Sequence, residues 1–204
     1  VTPYYEEAGI TIFHGDCREI LPQLGRFDLL LTDPPYGIDA CNMTLGAGRK
    51  DFIRGDWDKE LPDVRLVLPS ADYFCIWGGN YFADVLSPTN DWLIWHKLND
   101  GRSFSECEMA WTNYGKQTRH LQHHWSGEIK IHPTQKPLPV IKWSIAQCPH
   151  AICSLLDPFM GSGTSLVAAK DLGILATGIE LEERYCEIAA NRLRQSVLNF
   201  EAVS

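Results

Sequence analysis

Short apolar runs recur along the chain at 10–14, 27–32, 72–77, 92–96, 152–156 and 174–179, and stretches with helical spacing lie between several of them. The run at 27–32 shows no strict alternation of apolar and polar positions, as expected of a strand covered on both faces in a parallel sheet. Helical spacing predicts a brief piece over 18–24, a helix within 59–71 after the Pro62 region, helices over 81–86, from Pro137 to about 147 and over 165–172, and a final helix over 182–195. In the last of these, Tyr185, Ile188, Ala189 and Leu193 recur on one face, and acids occupy the first turn where the helix dipole favours them. Two stretches break the alternation. Residues 37–58 lose apolar period and carry Gly46, Gly48, Gly55, Arg49, Lys50 and Arg54. In the second, 105–114 reads as extended, whereas 115–124 is polar, with Lys116, Arg119, His120, His123 and His124 and no acid. It is expected to give antiparallel strands at the sheet's edge plus a surface loop. The pattern predicts an α/β fold with a mostly parallel sheet and an antiparallel edge strand.

With 204 residues, the chain reads as a single domain with insertions at 37–58 and 97–130. Its 45% hydrophobic and 22% charged composition fits a soluble globular protein, and no apolar run approaches a membrane span. The seven cysteines include no Cys-x-x-Cys pair, so buried free thiols in a reducing cytoplasm are expected. His123 and His124 are adjacent and lack matching ligands, so no metal is expected. A net charge of −8 gives no global attraction to nucleic acid. A DNA partner would need a local basic surface, for which Arg49, Lys50, Arg54, Lys116 and Arg119 are candidates. Trp92, Trp95 and Trp111 read as core.

The run at 29–32 stops at Asp33 and is followed by Pro34, Pro35, Tyr36 and Gly37. Asp33 is thereby placed at the carboxyl end of a strand, where open α/β sheets bind ligands. The two prolines stiffen the turn. One carboxylate, the Pro34 carbonyl and the Tyr36 ring suit a planar ligand with an amino group, although Asp-Pro-Pro is also an ordinary exit from a strand. A second constellation, Asp157-Pro158-Phe159-Met160-Gly161-Ser162-Gly163-Thr164, reads as strand, glycine turn and helix start. Glu180 ends the next strand, seventeen positions after Gly163. An acid roughly 20 residues on takes ribose hydroxyls in nucleotide-binding βαβ units. Leu166 stands where a dinucleotide fold wants a third glycine, and the lysine of a P-loop is missing. These features point to an adenosine-like ligand without a pyrophosphate.

Together with Asp16 and the segment His132-Pro133-Thr134-Gln135-Lys136-Pro137, the two motifs resemble the β class of amino-group DNA methyltransferases that use S-adenosylmethionine. The resemblance covers about 10–193, with the Asp-Pro-Pro-Tyr motif first and the glycine motif near the C-terminus. It implies a Rossmann-like methyltransferase fold. It further implies a catalytic group of Asp33, Pro34, Pro35 and Tyr36. The implied cofactor pocket comprises Asp16, Asp33, His132, Thr134, Lys136, Asp157, Pro158, Phe159, Gly161, Ser162, Gly163, Thr164 and Glu180. Asp16 is expected near the adenine, Glu180 on the ribose and Lys136 near the methionine carboxylate.

Duplex DNA with a flipped base is the implied partner, and a homodimer and a bacterial or phage cytoplasmic setting are the further expectations. Asp at the first motif position leans toward adenine N6. Cytosine N4, an RNA adenine, and a non-enzymatic cofactor-binding subunit remain as alternatives. No Pro-Cys pair is present for cytosine ring-carbon methylation. The chain departs from the family in leaving little room before His132 for a target-recognition region.

Overall fold

A computed structural model of the chain describes residues 1–37, 61–99, 105–124 and 135–195. The strands are β1 (Tyr5–Glu7), β2 (Ile10–His14), β3 (Phe27–Thr32), β4 (Ala71–Trp77), β5 (Trp92–His96), β6 (Cys107–Thr112), β7 (Arg119–Gln122), β8 (Ser154–Asp157) and β9 (Leu175–Glu180). The helices are α1 (Cys17–Ile20), α2 (Leu138–Ala146), α3 (Thr164–Asp171) and α4 (Glu183–Gln195). All nine strands join one sheet in the order β1-β2-β9-β8-β3-β4-β6-β5-β7.

The pairings β2–β9, β9–β8, β8–β3 and β3–β4 are parallel. Strand β1 is an antiparallel edge, and β6 runs antiparallel between β4 and β5. The chain leaves β8 through α3 toward β9 on one side, whereas β3 leads to β4 on the other. The sheet therefore has its topological switch point between β8 and β3, where ligands bind open α/β sheets.

Three consecutive leucines show why β3 is continuously apolar. Leu29 and Leu31 pack on one face with residues of α2, α3 and α4, whereas Leu30 packs on the other with Ile20, Val64, Val67 and Phe82. The pleat sends alternate side chains to opposite faces, and both faces are covered. Trp95 and Trp111 are buried, and Trp92 packs partly buried against the second cluster.

Three expectations need correction. Residues 59–71 do not form one helix in their described part: two 3-10 turns, Val64–Leu66 and Leu68–Ser70, precede β4. Pro69 lies within the second turn, and a proline in a helix interior removes a backbone donor. Residues 81–86 likewise begin as a 3-10 turn, Gly79–Phe82. The polar 115–124 stretch contains an edge strand, β7, parallel to β5. Its three exposed side chains concealed it from an apolar-pattern reading.

Among the described residues, no helix is long and apolar enough to cross a membrane, and no group of three His, Cys, Asp or Glu side chains is placed to hold a metal. The six described cysteines are free.

Candidate active site

The carboxyl ends of β3, β8 and β9 and the turns that follow them enclose one cavity of about 690 Å³, within the usual range for a small-molecule pocket. Asp16, Asp33, Pro34, Pro35, Tyr36, Lys136, Asp157, Pro158, Phe159, Gly161, Ser162, Thr164 and Glu180 all line it. The two sequence motifs therefore face a common space. Thr32 joins them: its Oγ1 donates to Asp157 Oδ1 at 2.7 Å.

Asp157 holds the glycine turn together. Its Oδ1 also accepts from the Phe159 backbone N–H at 3.2 Å, and its Oδ2 from Ser165 Oγ at 2.5 Å. Burial pushes this carboxyl up to about 6 against those hydrogen bonds. Glu180, at the end of β9, accepts the Gly161 N–H at 2.9 Å and the Glu182 N–H at 2.8 Å. Burial raises it to about 7 despite both bonds. Asp16 caps α1 through the Arg18 N–H at 2.8 Å and pairs with the exposed Arg18 guanidinium.

Gly161 has a left-handed φ of 49° and lines the cavity. Gly163 serves a different purpose from the ligand contact expected of it. Its φ is 76°, and a Cβ there would sit 2.7 Å from Ala189 Cβ on α4. It lets α4 pack close beneath the turn and does not line the cavity. From α4, Arg192 Nη1 donates to the Ser162 carbonyl at 2.6 Å and to Thr164 Oγ1 at 3.1 Å, clamping the turn from below.

Around Asp33 the geometry differs from expectation at one residue. Lys136 Nζ lies 2.6 Å from Asp33 Oδ2, 3.0 Å from Glu108 Oε2 and 3.2 Å from the Tyr36 hydroxyl. It is therefore engaged with protein carboxylates, and the expected partner, a ligand carboxylate, would have to compete with them. Tyr36 donates its hydroxyl to Asp33 Oδ1. Burial pushes Asp33 up from the ordinary carboxylate value against the pull of Lys136. Burial alone would lower Lys136, but Asp33 and Glu108 hold its ammonium in the charged form.

The Tyr36 ring stacks on Tyr81 with centroids 4.8 Å apart and planes 15° apart. Gly78, with φ 68°, makes room for it, because a Cβ there would come 2.0 Å from Tyr36 Cε1.

His132, Thr134, Arg49, Lys50 and Arg54 lie outside the described residues. Lys116 and Arg119 are exposed but belong to a separate polar cleft with Asp91, at the amino-terminal end of β5 and β7. That end points away from Asp33, so the fold does not bring these two cations to the cavity as a DNA-reading surface. Tyr81, Glu108, Lys97 and Arg192 carried no local signal, and only pairing between distant elements brings them to the site.

The DNA methylase family model of the N6/N4 type matches residues 85–191. The Type II methyltransferase M.HpaI of Haemophilus parainfluenzae is 33% identical over 224 aligned residues, covering 86% of this chain and 71% of that protein. The chain belongs to the N6/N4 DNA methylase family. The Type II methyltransferase M2.LlaDCHI of Lactococcus lactis subsp. cremoris is 26% identical over 251 residues, covering 95% of this chain and 92% of that one. Among solved structures, the M1.HpyAVI–SAM complex superposes with a TM-score of 0.63 at 27% identity, covering 90% of this chain and 98% of that one.

The cavity of this N6/N4 methylase thus lies at the switch point of an α/β sheet similar to one solved with S-adenosylmethionine. The 251-residue alignment is longer than the 204-residue chain, so M2.LlaDCHI carries residues that this methylase lacks.

Proposed function

We propose that the protein methylates the exocyclic N6 of adenine in DNA with S-adenosylmethionine as donor. The observation that carries this reading is the shared cavity, in which the Asp33 carboxylate, the Gly161 turn and Glu180 face the same space. The residues fit the donor. The volume suits a nucleoside-sized group, the Gly161 turn lets the backbone approach it, and Glu180 stands where ribose hydroxyls are held in related folds. Asp16 would flank the adenine and Phe159 the sulfonium, a cation that favours aromatic faces. Bound S-adenosylmethionine supplies an electrophilic methyl group.

The amino nitrogen of a base is a poor nucleophile because its lone pair is delocalised into the ring. Asp33 and the Pro34 carbonyl would accept its two N–H bonds, favour a pyramidal nitrogen and aim the lone pair. As the nitrogen takes the methyl and the neutral thioether departs, the nitrogen turns positive; the Asp33 carboxylate would stabilise that charge until a proton is released to water. Orientation and electrostatics are large terms for such a displacement. No covalent enzyme intermediate is required. A base inside a duplex cannot reach this cavity, so it must be flipped out, with Tyr36 as its stacking surface. Aspartate at position 33, where the N4 branch carries serine, favours adenine. Bacterial Type II relatives support a restriction–modification setting.

The test is nucleoside analysis of duplex DNA treated with the protein and methyl-labelled donor. Label in N6-methyladenine is expected; label confined to N4-methylcytosine, or transfer to RNA alone, overturns the reading.

A further inference from the structure

Four charged side chains alternate in sign at the carboxyl edge of β3, β4 and β5. Lys97 Nζ is 2.6 Å from Glu108 Oε1, Glu108 Oε2 is 3.0 Å from Lys136 Nζ, and Lys136 Nζ is 2.6 Å from Asp33 Oδ2. Lys136 has only 3% of its side chain exposed, and Glu108 and Lys97 have 29% and 20%. The chain of contacts exists because β6 runs against its neighbours. Its first residues, Cys107 and Glu108, lie beside His96 and Trp95 at the carboxyl end of β5, so Glu108 reaches the site from a strand that neither motif contains.

Both oxygens of Asp33 already have partners, Tyr36 on one and Lys136 on the other. A lysine with Asp33 as its sole counter-ion would hold it tightly and compete with an incoming amino group. A second carboxylate divides that attraction, and Lys97 in turn limits how strongly Glu108 can draw Lys136.

We propose that Glu108 is a positioning residue that shares Lys136 with Asp33, and that Lys97 sets the strength of that sharing. This rests on the reading of Asp33 as the acceptor for the base amino group. Among the described residues, the groups facing Asp33 are Tyr36 on its own turn, Lys136 ahead of α2, Glu108 on β6 and Asp157 on β8, with the Trp77 ring of β4 5.2 Å from the Lys136 ammonium. Among these, Glu108 raises the proton affinity of Asp33 and Lys136 lowers it. Burial pushes the Glu108 carboxyl up, but Lys136 and Lys97 hold it down at about 2, so it remains an anion throughout the working pH range.

Two substitutions act in opposite directions. Glu108→Gln removes the competing anion, so Lys136 concentrates on Asp33. Lys97→Met frees Glu108 to draw Lys136 away. The side-chain carboxyl of Asp33 is followed by carbon-13 NMR in the full-length protein as pH is varied. Its midpoint should move down in Glu108→Gln, up in Lys97→Met, and stay near wild type in Glu108→Asp, which keeps the charge.

In methyl-transfer kinetics, the acidic limb of the kcat/KM profile should move with it. KM for DNA in Glu108→Gln should rise on the order of tenfold, because removing one partner of a buried charge pair shifts energies by at least that much. The dissociation constant for S-adenosylmethionine, read by calorimetry, should stay unchanged.

An Asp33 midpoint that moves in neither variant overturns the proposal. So does a Glu108→Gln defect confined to donor binding. If Glu108→Gln does not fold, Lys97→Met and Glu108→Asp decide the matter alone. A wild-type protein that transfers no methyl group to DNA refutes the proposed function, and the NMR midpoints still judge the charge-sharing by themselves.

Discussion

The Thr32 hydroxyl donates to Asp157 Oδ1 across 2.7 Å, linking residues 125 positions apart in sequence. Thr32 is the last residue of β3 before Asp33, and Asp157 is the last of β8 before the glycine turn. One buried hydrogen bond therefore fixes the Asp33 turn relative to the glycine turn.

Replacing Thr32 with Val keeps the shape but strands one oxygen lobe of a buried carboxylate. Loss of about 1–3 kcal/mol is expected for an unsatisfied buried acceptor, read as a lower midpoint in urea unfolding. Because Phe159 and Ser165 still hold Asp157, the fold should persist. The measurable functional effect is a fall in kcat as the two turns lose their fixed separation.

Asp33→Ala should reduce methyl transfer by at least about 100-fold, the scale of losing one preorganised charge-stabilising group. Calorimetry should show S-adenosylmethionine binding largely retained. Turnover near the wild-type rate would remove Asp33 from the acceptor role.

Gly78→Ala introduces a Cβ 2.0 Å from Tyr36 Cε1 at a backbone φ of 68°. The left-handed backbone costs an alanine roughly 1–2 kcal/mol, and the displaced Tyr36 ring should weaken base stacking, which is worth about 1–3 kcal/mol per base. A raised KM for DNA with an unchanged donor dissociation constant is the expected signature. An unchanged KM would show that the placement of Tyr36 does not govern base binding.

Burial raises Asp157 to about 6 and Glu180 to about 7, so each binds its proton more tightly folded than unfolded. Their contribution to stability is complete below the ordinary carboxylate values and is lost as pH rises through 6 and 7. The thermal midpoint of the ligand-free protein should therefore decline over that window, and Glu180→Gln should flatten the decline. Donor affinity should follow the opposite course, because ribose hydroxyls donate best to an ionised Glu180. A donor affinity independent of pH in this window would place the ribose elsewhere.

Much of the fold and part of the cavity's lining were legible in the sequence, for reasons that can be traced to particular residues. The continuous apolar run ending at Asp33 announced a strand buried on both faces, because Leu29, Leu30 and Leu31 are each buried against one layer or the other. Gly161 and Glu180 marked a strand-end cavity because a glycine turn and a carboxylate at a strand end leave local marks. The short turns Val64–Leu66 and Gly79–Phe82 stand where apolar spacing predicts helices, since spacing over so few residues does not distinguish a helix from a 3-10 turn packed on a sheet. The role of Gly163 also depended on a distant element, Ala189 on α4, and nothing within its own motif separates packing from ligand contact.

The sequence by itself determined which chemistry is present: a strand-end carboxylate on a stiff turn, a glycine turn and an acid one strand further on. Only the tertiary structure decided the electrical state of that carboxylate. Whether Lys136 serves a ligand or Asp33 depends on where its ammonium ends up, and Glu108 reaches it only through the antiparallel register of β6 between β4 and β5. Local residue patterns encode strands and turns, whereas charge–charge distances of 3 Å are set by which strands become neighbours.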